Sequence, residues 1–490
     1  MLERSISFPF VSSFGARRPN RNVALPLLLS LIFTGMAHAQ VQLEEKALSP
    51  KDRKSLSVTV YNHGTALVVD TRSAALNNGD NRIAFPGVSG QMRPETVRIS
   101  SNGDSLNVIE QNFEYDLLTP AKLLEKYVGK EIGLVRRHPQ TDEELTETGT
   151  LLSVANGQPV FQIGNRIETG GAQSPWRYVF NEVPANLRAK PTLTVDLASK
   201  TSGKQELELA YLSGGMGWKS DYVATLNAND KSMDLVGWVT LNNNSGASYE
   251  NADLRLVAGE LNKVQPVRQY KNMRAEMAMM DSAGAPQQES LFEYYLYSFP
   301  RKTTIRNNQT KQLQLLSATN IPIDKVYRVD SQQNSWRGIQ GGQRSQANVV
   351  VQFNNNKPAL GMPLPKGVMR FYKADKGGGM QLLGEDRINH TARNERLEMK
   401  LGQAFDITAD RKQLSYKKGY NNSRVTGWEL EVRNAKSTAV NVEVVERVYG
   451  DVTVLEESEE HQRVSANLLK WTLKVPANGK AKLRYRIQQK

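Results

Sequence analysis

The sequence predicts an all-β chain: a multi-domain β-sandwich protein with an immunoglobulin-like C-terminal unit, one small inserted SH3- or Sm-like barrel and one short helix. Three observations carry that prediction. Apolar and polar residues alternate with a period of two along most of the chain after residue 54, as half-buried strands require. Turn residues stand where those runs end, as in Pro86-Gly87 and Asn102-Gly103. Helical spacing with proper caps is evident at one place, from Thr119.

The first 39 residues read as an export signal. Arg17, Arg18 and Arg21 form a positive flank, and Val23 to Met36 is mostly apolar. Ala37-His38-Ala39 places small residues where a signal peptidase reads, so cleavage is expected after Ala39. The twin arginines lack the apolar residues that follow a twin-arginine export pair. The apolar run is too short for a stable membrane span. The expected location is therefore the periplasm of a Gram-negative bacterium. No cysteine occurs, which excludes disulfides, thiolate metal sites and a lipid-anchored N-terminal cysteine. Net charge is +13, and removing the leader leaves it near +10. After export, nucleic acid is not an expected partner. An envelope component, either a protein or an anionic polysaccharide, is.

A linker is expected over 40–54 and an N-terminal β region over 55–118. Ser57 to Tyr61 opens a strand, Asn62-His63-Gly64 turns it, and Ala66 to Asp70 follows. Thr119 and Pro120 start a helix whose face is Leu123, Leu124, Tyr127 and Val128, and Gly129 stops it. Short strands after it predict a small barrel within 119–180. A central sandwich is expected over 181–420. In it Leu193–Leu197 and Glu206–Tyr211 predict a hairpin, and the same plan recurs at Trp471–Val475 and Lys482–Tyr485. A second echo sets Gly237-Trp238 with Asn243 beside Gly427-Trp428 with Asn434, which points to two related sandwich units. The C-terminal unit is expected over 421–490. Residues 263–290 hold Met273, Met277, Met279 and Met280 with no strand pattern, and predict a mobile loop.

No motif assembles into chemistry. Gly103-Asp104-Ser105-Leu106 spells a serine-esterase signature, but it follows Ser100-Ser101-Asn102 as a turn would, and no Asp-x-x-His supplies a base. His63, His138, His390 and His461 are dispersed, so no metal site is expected. His461 among Glu456, Glu457, Glu459 and Glu460 reads as a solvated acidic turn. Gly377-Gly378-Gly379 reads as a hairpin turn. Glu385, Asp386 and Asp221 are the carboxylates to watch for a glycan-acting site. Trp218, Trp238, Trp428 and Trp471 lie in strands and are expected in the core. Phe292, Tyr294, Tyr295 and Tyr297, joined by Trp218 and Asp221, are the candidate binding surface. No catalytic, metal or cofactor residue is assigned.

The block Gly217-Trp218-Lys219-Ser220-Asp221-Tyr222, with Asp234 to Gly246 and Tyr249 to Gly259, resembles an uncharacterised domain shared with mucoidy inhibitor A-like envelope proteins. Val58 to Asn62, Phe113 to Leu118, Asn308 to Gln312, Gly361 to Pro365 and Leu383 to Asp386 fit the same family. The resemblance implies an exported bacterial protein of β-sandwich domains and a link with capsule or exopolysaccharide. It offers no catalytic residues. The expected function is non-catalytic binding or scaffolding in the cell envelope. The alternative is a polysaccharide-binding protein or a glycan-acting hydrolase.

Overall fold

The predicted alternation is realised, in the computed structural model, as sheets of four, five, eight, five and nine strands. Residues 43–490 are described, except 63, 102–105, 139, 171–173, 185, 260–286, 292–293, 333–342 and 420–422. The leader and its cleavage site lie outside the described residues. So do Ser105 and residues 263–286 of the expected loop. Gln287–Leu291, at the end of that loop, is a strand paired with Tyr294–Ser298.

Two sandwich units follow one another with the same strand plan. In the first, Arg53–Tyr61 pairs with Thr65–Leu76, which pairs with Gly203–Gly214. Tyr249–Ala258 joins Arg53–Tyr61 in parallel. The facing layer is Met216–Leu226, Ser232–Asn243 and Gln309–Pro322. In the second, Asp324–Gln332 pairs with Gln343–Asn354, which pairs with Arg396–Lys418. Val440–Arg447 joins Asp324–Gln332, again in parallel. Arg424–Asn434 and Gly479–Gln489 follow on one side, and Leu468–Val475 pairs with Val440–Arg447 on the other. The 23-residue strand Arg396–Lys418 pairs with Gln343–Asn354 by its first part and with Arg424–Asn434 by its last. The first unit divides the equivalent run at Gly215, whose φ of +74° suits glycine. A Cβ there would stand 2.6 Å from Gln91 Nε2 and 2.8 Å from the Asn244 carbonyl oxygen.

A buried asparagine fixes the correspondence. Asn243 Nδ2 donates to the carbonyls of Ala247 (2.9 Å) and Arg306 (3.0 Å), and its Oδ1 accepts from the Ser245 N–H (3.1 Å). Asn434 Nδ2 donates to Thr438 (2.8 Å) and Pro476 (2.9 Å), and its Oδ1 accepts from the Lys436 N–H (2.9 Å). The Asn244 N–H meets the Gly215 carbonyl at 2.7 Å, and the Ala435 N–H meets that of Asp406 at 2.8 Å. Asn, then the residues one, two and four positions on, does the same work in both units. Bare carbonyls at these buried turns would be costly.

This register corrects the Gly-Trp echo. Opposite Trp238 stands Asp221, and opposite Glu429 stands Lys412. Trp238 therefore corresponds to Glu429, not to Trp428. A slip of one residue moves a side chain to the other face. Trp218, Trp428 and Trp471 are core residues, but Trp238 is half-buried on the outer face.

Other expectations change too. Thr192–Ser199 pairs with Gly79–Pro86 and Asn107–Glu114, while Gly203–Gly214 lies in another sheet. The predicted hairpin is thus a crossover between sheets. Leu468–Val475 and Gly479–Gln489 likewise pair with other partners and not with each other. The small barrel is an open five-stranded sheet: its outer strands, Arg166–Thr169 and Arg177–Val179, are unpaired with each other. Trp176 Nε1 donates to Glu168 Oε2 at 2.7 Å across that seam. The helix Pro120–Lys126 has the expected Thr119 cap and packs Leu124 and Tyr127 inward, but Val128 is exposed. Part of the expected linker is ordered: Glu45–Ala47 pairs with Gly79–Pro86, and Leu48 is buried. The expected boundary at 420/421 falls inside the second sandwich, whose strands begin at Asp324.

A buried charge cluster ties the first unit together. Asp70 accepts from Arg53 (2.9 Å) and Arg72 (2.7 Å), and Arg72 also donates to the Leu48 carbonyl at 2.6 Å. Burial alone would raise the Asp70 carboxyl, but the bonds from Arg53 and Arg72 outweigh it and hold it below the ordinary carboxylate value. A depressed native value means stability that is present above the unfolded pKa, about 3.9, and lost as pH falls through the native value. Thermal unfolding followed from pH 7 to pH 3 should show that loss, and Asp70→Asn should flatten the acid limb.

Candidate functional site

The outer face of one five-stranded sheet gathers the groups with chemistry to offer. Its strand order is Gln309–Pro322, Ser232–Asn243, Met216–Leu226, Gly367–Ala374, Met380–Ile388. Strand alternation decides what faces out. Tyr222, Ala224, Leu235, Val239, Met369 and Phe371 are buried on the inner face. Their neighbours point the other way. One row across the sheet runs Gln314, Trp238, Asp221, Val368, Arg387. The next runs Ser317, Val236, Val223, Arg370, Glu385. The middle of the face is half-buried and partly apolar, while Gln314, Ser317, Glu385 and Arg387 at its borders are exposed.

The charged groups of this face are bonded to one another. Arg370 NH1 donates to Asp221 Oδ1 at 3.1 Å, and Arg370 Nε lies 3.0 Å from Glu385 Oε2. Asp221 Oδ2 is 3.5 Å from Lys219 Nζ and accepts from Thr240 Oγ1 at 3.4 Å. The Asp221 carboxylate holds the Arg370 guanidinium above its usual value. Asp221 and Glu385, singled out from the sequence, do converge, and Arg370 brings them together. Asp386 points away and accepts from the Lys400 N–H at 2.8 Å. Hydrolysis by a carboxyl pair needs one group free to carry a proton beside the scissile bond. Here both carboxylates share one guanidinium. The arrangement suits holding a ligand.

The other predicted site residues divide. Tyr297 is 0% exposed, and Trp218, at 6%, packs edge-to-face on it with ring centroids 6.4 Å apart. The Tyr297 hydroxyl donates to the Pro363 carbonyl at 3.2 Å. Both belong to the core and not to a binding surface, because they lie on the inward faces of their strands. Tyr294 and Tyr295 are half-buried, and Phe292 lies outside the described residues. His461 Nδ1 is 3.0 Å from Glu457, whose other neighbour is Trp471 Nε1 at 2.8 Å. Asp375 accepts from the N–H groups of Gly377 and Gly379, both at 2.9 Å, which makes the glycine run a turn. Among the described residues no group of three metal-ligating side chains occurs.

Trp238 and Arg370 were missed. Alternation contained the signal for Trp238: it falls between Gly237 and Val239 on the phase opposite to Leu235 and Leu241. Arg370 had none, since its partners are 149 residues away and on a neighbouring strand.

Residues 207–490 match the family model described as "Domain of unknown function (DUF4139)". The chain belongs to the DUF4139 family. Residues 58–138 match a second model, the N-terminal domain of unknown function (DUF4140). The first sandwich of this DUF4139 chain draws strands from both matched segments, since Thr65–Leu76 pairs with Gly203–Gly214. A search of curated proteins finds no match. Trp238, Asp221, Arg370 and Glu385 all lie inside the DUF4139 segment.

Proposed function

We propose that the chain is a non-catalytic binding or scaffolding protein of the bacterial cell envelope, working in the periplasm after removal of residues 1–39. Its contact surface is the outer sheet face around Trp238. The observation that supports this most is the Asp221–Arg370–Glu385 bridge, a hydrogen-bonding row across three strands of one sheet face. Docking by strand addition has less support. The 14-residue strand Gln309–Pro322 is at the border of its sheet, but its ladder is broken by two register shifts and Asn320 has a φ of +56°. Such bulges blunt an edge against new partners. The resemblance to mucoidy inhibitor A-like proteins favours an exopolysaccharide-related setting for the same surface.

Expression of the full gene product in a Gram-negative host, followed by mass spectrometry and co-sedimentation with isolated envelopes, tests this reading. A periplasmic chain beginning at Gln40 that sediments with envelope at low salt and at about 0.5 M salt agrees with it. A cytoplasmic chain with its leader intact, or one that never sediments, contradicts it.

A further inference from the structure

The second sandwich provides an internal comparison for the Trp238 face. Its corresponding strand presents Glu429 where the first presents Trp238. Glu429 is held by Lys412 (3.1 Å) and Arg484 (2.7 Å), and neighbouring Glu431 by Arg433 (2.9 Å) and Lys482 (3.4 Å). Two units with the same strand plan and the same buried asparagine therefore differ on this face. One carries a lattice of ions. The other carries an aromatic ring beside valines and one small ion cluster around Arg370 and Asp221.

The composition of that face selects a ligand class. An indole ring on a sheet offers a broad apolar plane with its N–H at the rim. Asp221 and Glu385 are balanced by Arg370 and Lys219, and Arg387 at the border of the same row adds one positive charge, so the face carries little excess charge to attract a polyanion or an anionic lipid surface. The Glu385 carboxylate and the Arg370 guanidinium, with side chains 55% and 34% exposed, still offer lone pairs and N–H donors, and charge-assisted hydrogen bonds are the strong ones. Gln314 and Gln312 add neutral donors and acceptors on the adjacent strand, where Gln312 Nε2 donates to Thr240 Oγ1 at 3.3 Å. The row crosses five strands about 4.8 Å apart, a band of roughly 19 Å. A ligand that matches has flat apolar faces, many hydroxyls, no net charge and some length. We propose that the outer face of the first sandwich binds a neutral oligosaccharide or polysaccharide chain, with Trp238 stacking on a sugar ring and Asp221, Arg370 and Glu385 hydrogen-bonding its hydroxyls.

This rests on the envelope-binding reading, and its test separates the two. The full chain is titrated calorimetrically with chitotetraose, cellotetraose and maltotetraose, and with an alginate tetrasaccharide as the acidic counterpart. The expected result is binding of at least one neutral tetrasaccharide that persists at about 0.5 M salt. Trp238→Ala should weaken it about tenfold or more, as removal of a central tryptophan anchor does. Arg370→Gln should weaken it too, while Glu429→Gln on the second sandwich leaves it unchanged. Trp238→Ala is read only with an unchanged melting temperature; if the fold suffers, Arg370→Gln decides. Binding of none of the neutral sugars, binding of alginate alone, or neutral binding indifferent to both face variants overturns the glycan proposal. Envelope sedimentation that persists through any of these results leaves the broader reading standing with another ligand.

Discussion

Glu446→Ala is expected to destabilise the second sandwich by about 3–5 kcal/mol, the usual cost of removing one partner from a buried ion pair. Glu446 is 0% exposed and accepts from Arg411 NH2 at 2.7 Å and from the Tyr485 hydroxyl at 2.9 Å. The Arg411 guanidinium lies 3.6 Å from the centre of the Trp428 ring, and Tyr485 stacks on Trp471 at 4.7 Å. Alanine would leave a buried guanidinium without its carboxylate in the middle of an aromatic core. The measurement is the denaturant midpoint. A control follows from the same argument: Arg411→Met combined with Glu446→Met should be far less harmful than Glu446→Ala alone, because both desolvated charges leave together. A double variant that is worse than the single one would show that the pair itself stabilises the core.

The second large effect is at the buried asparagines. Asn243→Ala and Asn434→Ala should each cost about 3 kcal/mol, since each orphans several buried backbone groups at about 1–3 kcal/mol apiece, partly offset by local rearrangement. Asn243 is 0% exposed and Asn434 2%. Because the two residues hold equivalent turns, their costs should agree within about 1 kcal/mol. Aspartate is a sharper probe than alanine. It keeps the acceptor for the Ser245 or Lys436 N–H but places an anion where Nδ2 donated to carbonyls, so it should destabilise at least as much. Hydrogen exchange at Ser245 and Lys436 reports each turn separately. Unequal losses would mean that the two units are less alike than their bonds indicate.

What was legible in the sequence was local. Period-two alternation gave the all-β class, and the Thr119 cap gave the helix Pro120–Lys126. What was missed depends on where a strand goes next. A short polar link between two strands looks the same whether the second strand pairs with the first or crosses to another sheet. That is why Leu193–Leu197 with Glu206–Tyr211 read as a hairpin. Closure of the inserted sheet depended on contact between Arg166–Thr169 and Arg177–Val179, for which no local residue speaks. The Gly-Trp echo was conspicuous and out of register by one. The asparagines beside it had the true spacing, because their bonds to the turn allow no slip. Of the candidate site, Asp221 and Glu385 were singled out as carboxylates to watch. The meeting of Asp221 with Arg370 and Glu385 needed the parallel pairing of Met216–Leu226 with Gly367–Ala374. Tyr297 was misjudged for a complementary reason: aromatic residues on alternating strands occupy both faces, and Tyr297 falls on the inner one, as does Trp218, whose expected place in the core holds and whose place on the candidate surface does not.

The central claim is that the Trp238 face makes the contact. Co-sedimentation of Trp238→Ala and of the unaltered chain with isolated envelopes at about 0.5 M salt tests it most directly, with Glu429→Gln as the control on the corresponding face of the second sandwich. The account predicts that Trp238→Ala loses about tenfold or more of its retention while Glu429→Gln keeps it. Equal retention of all three proteins would contradict the account and move the contact to another surface.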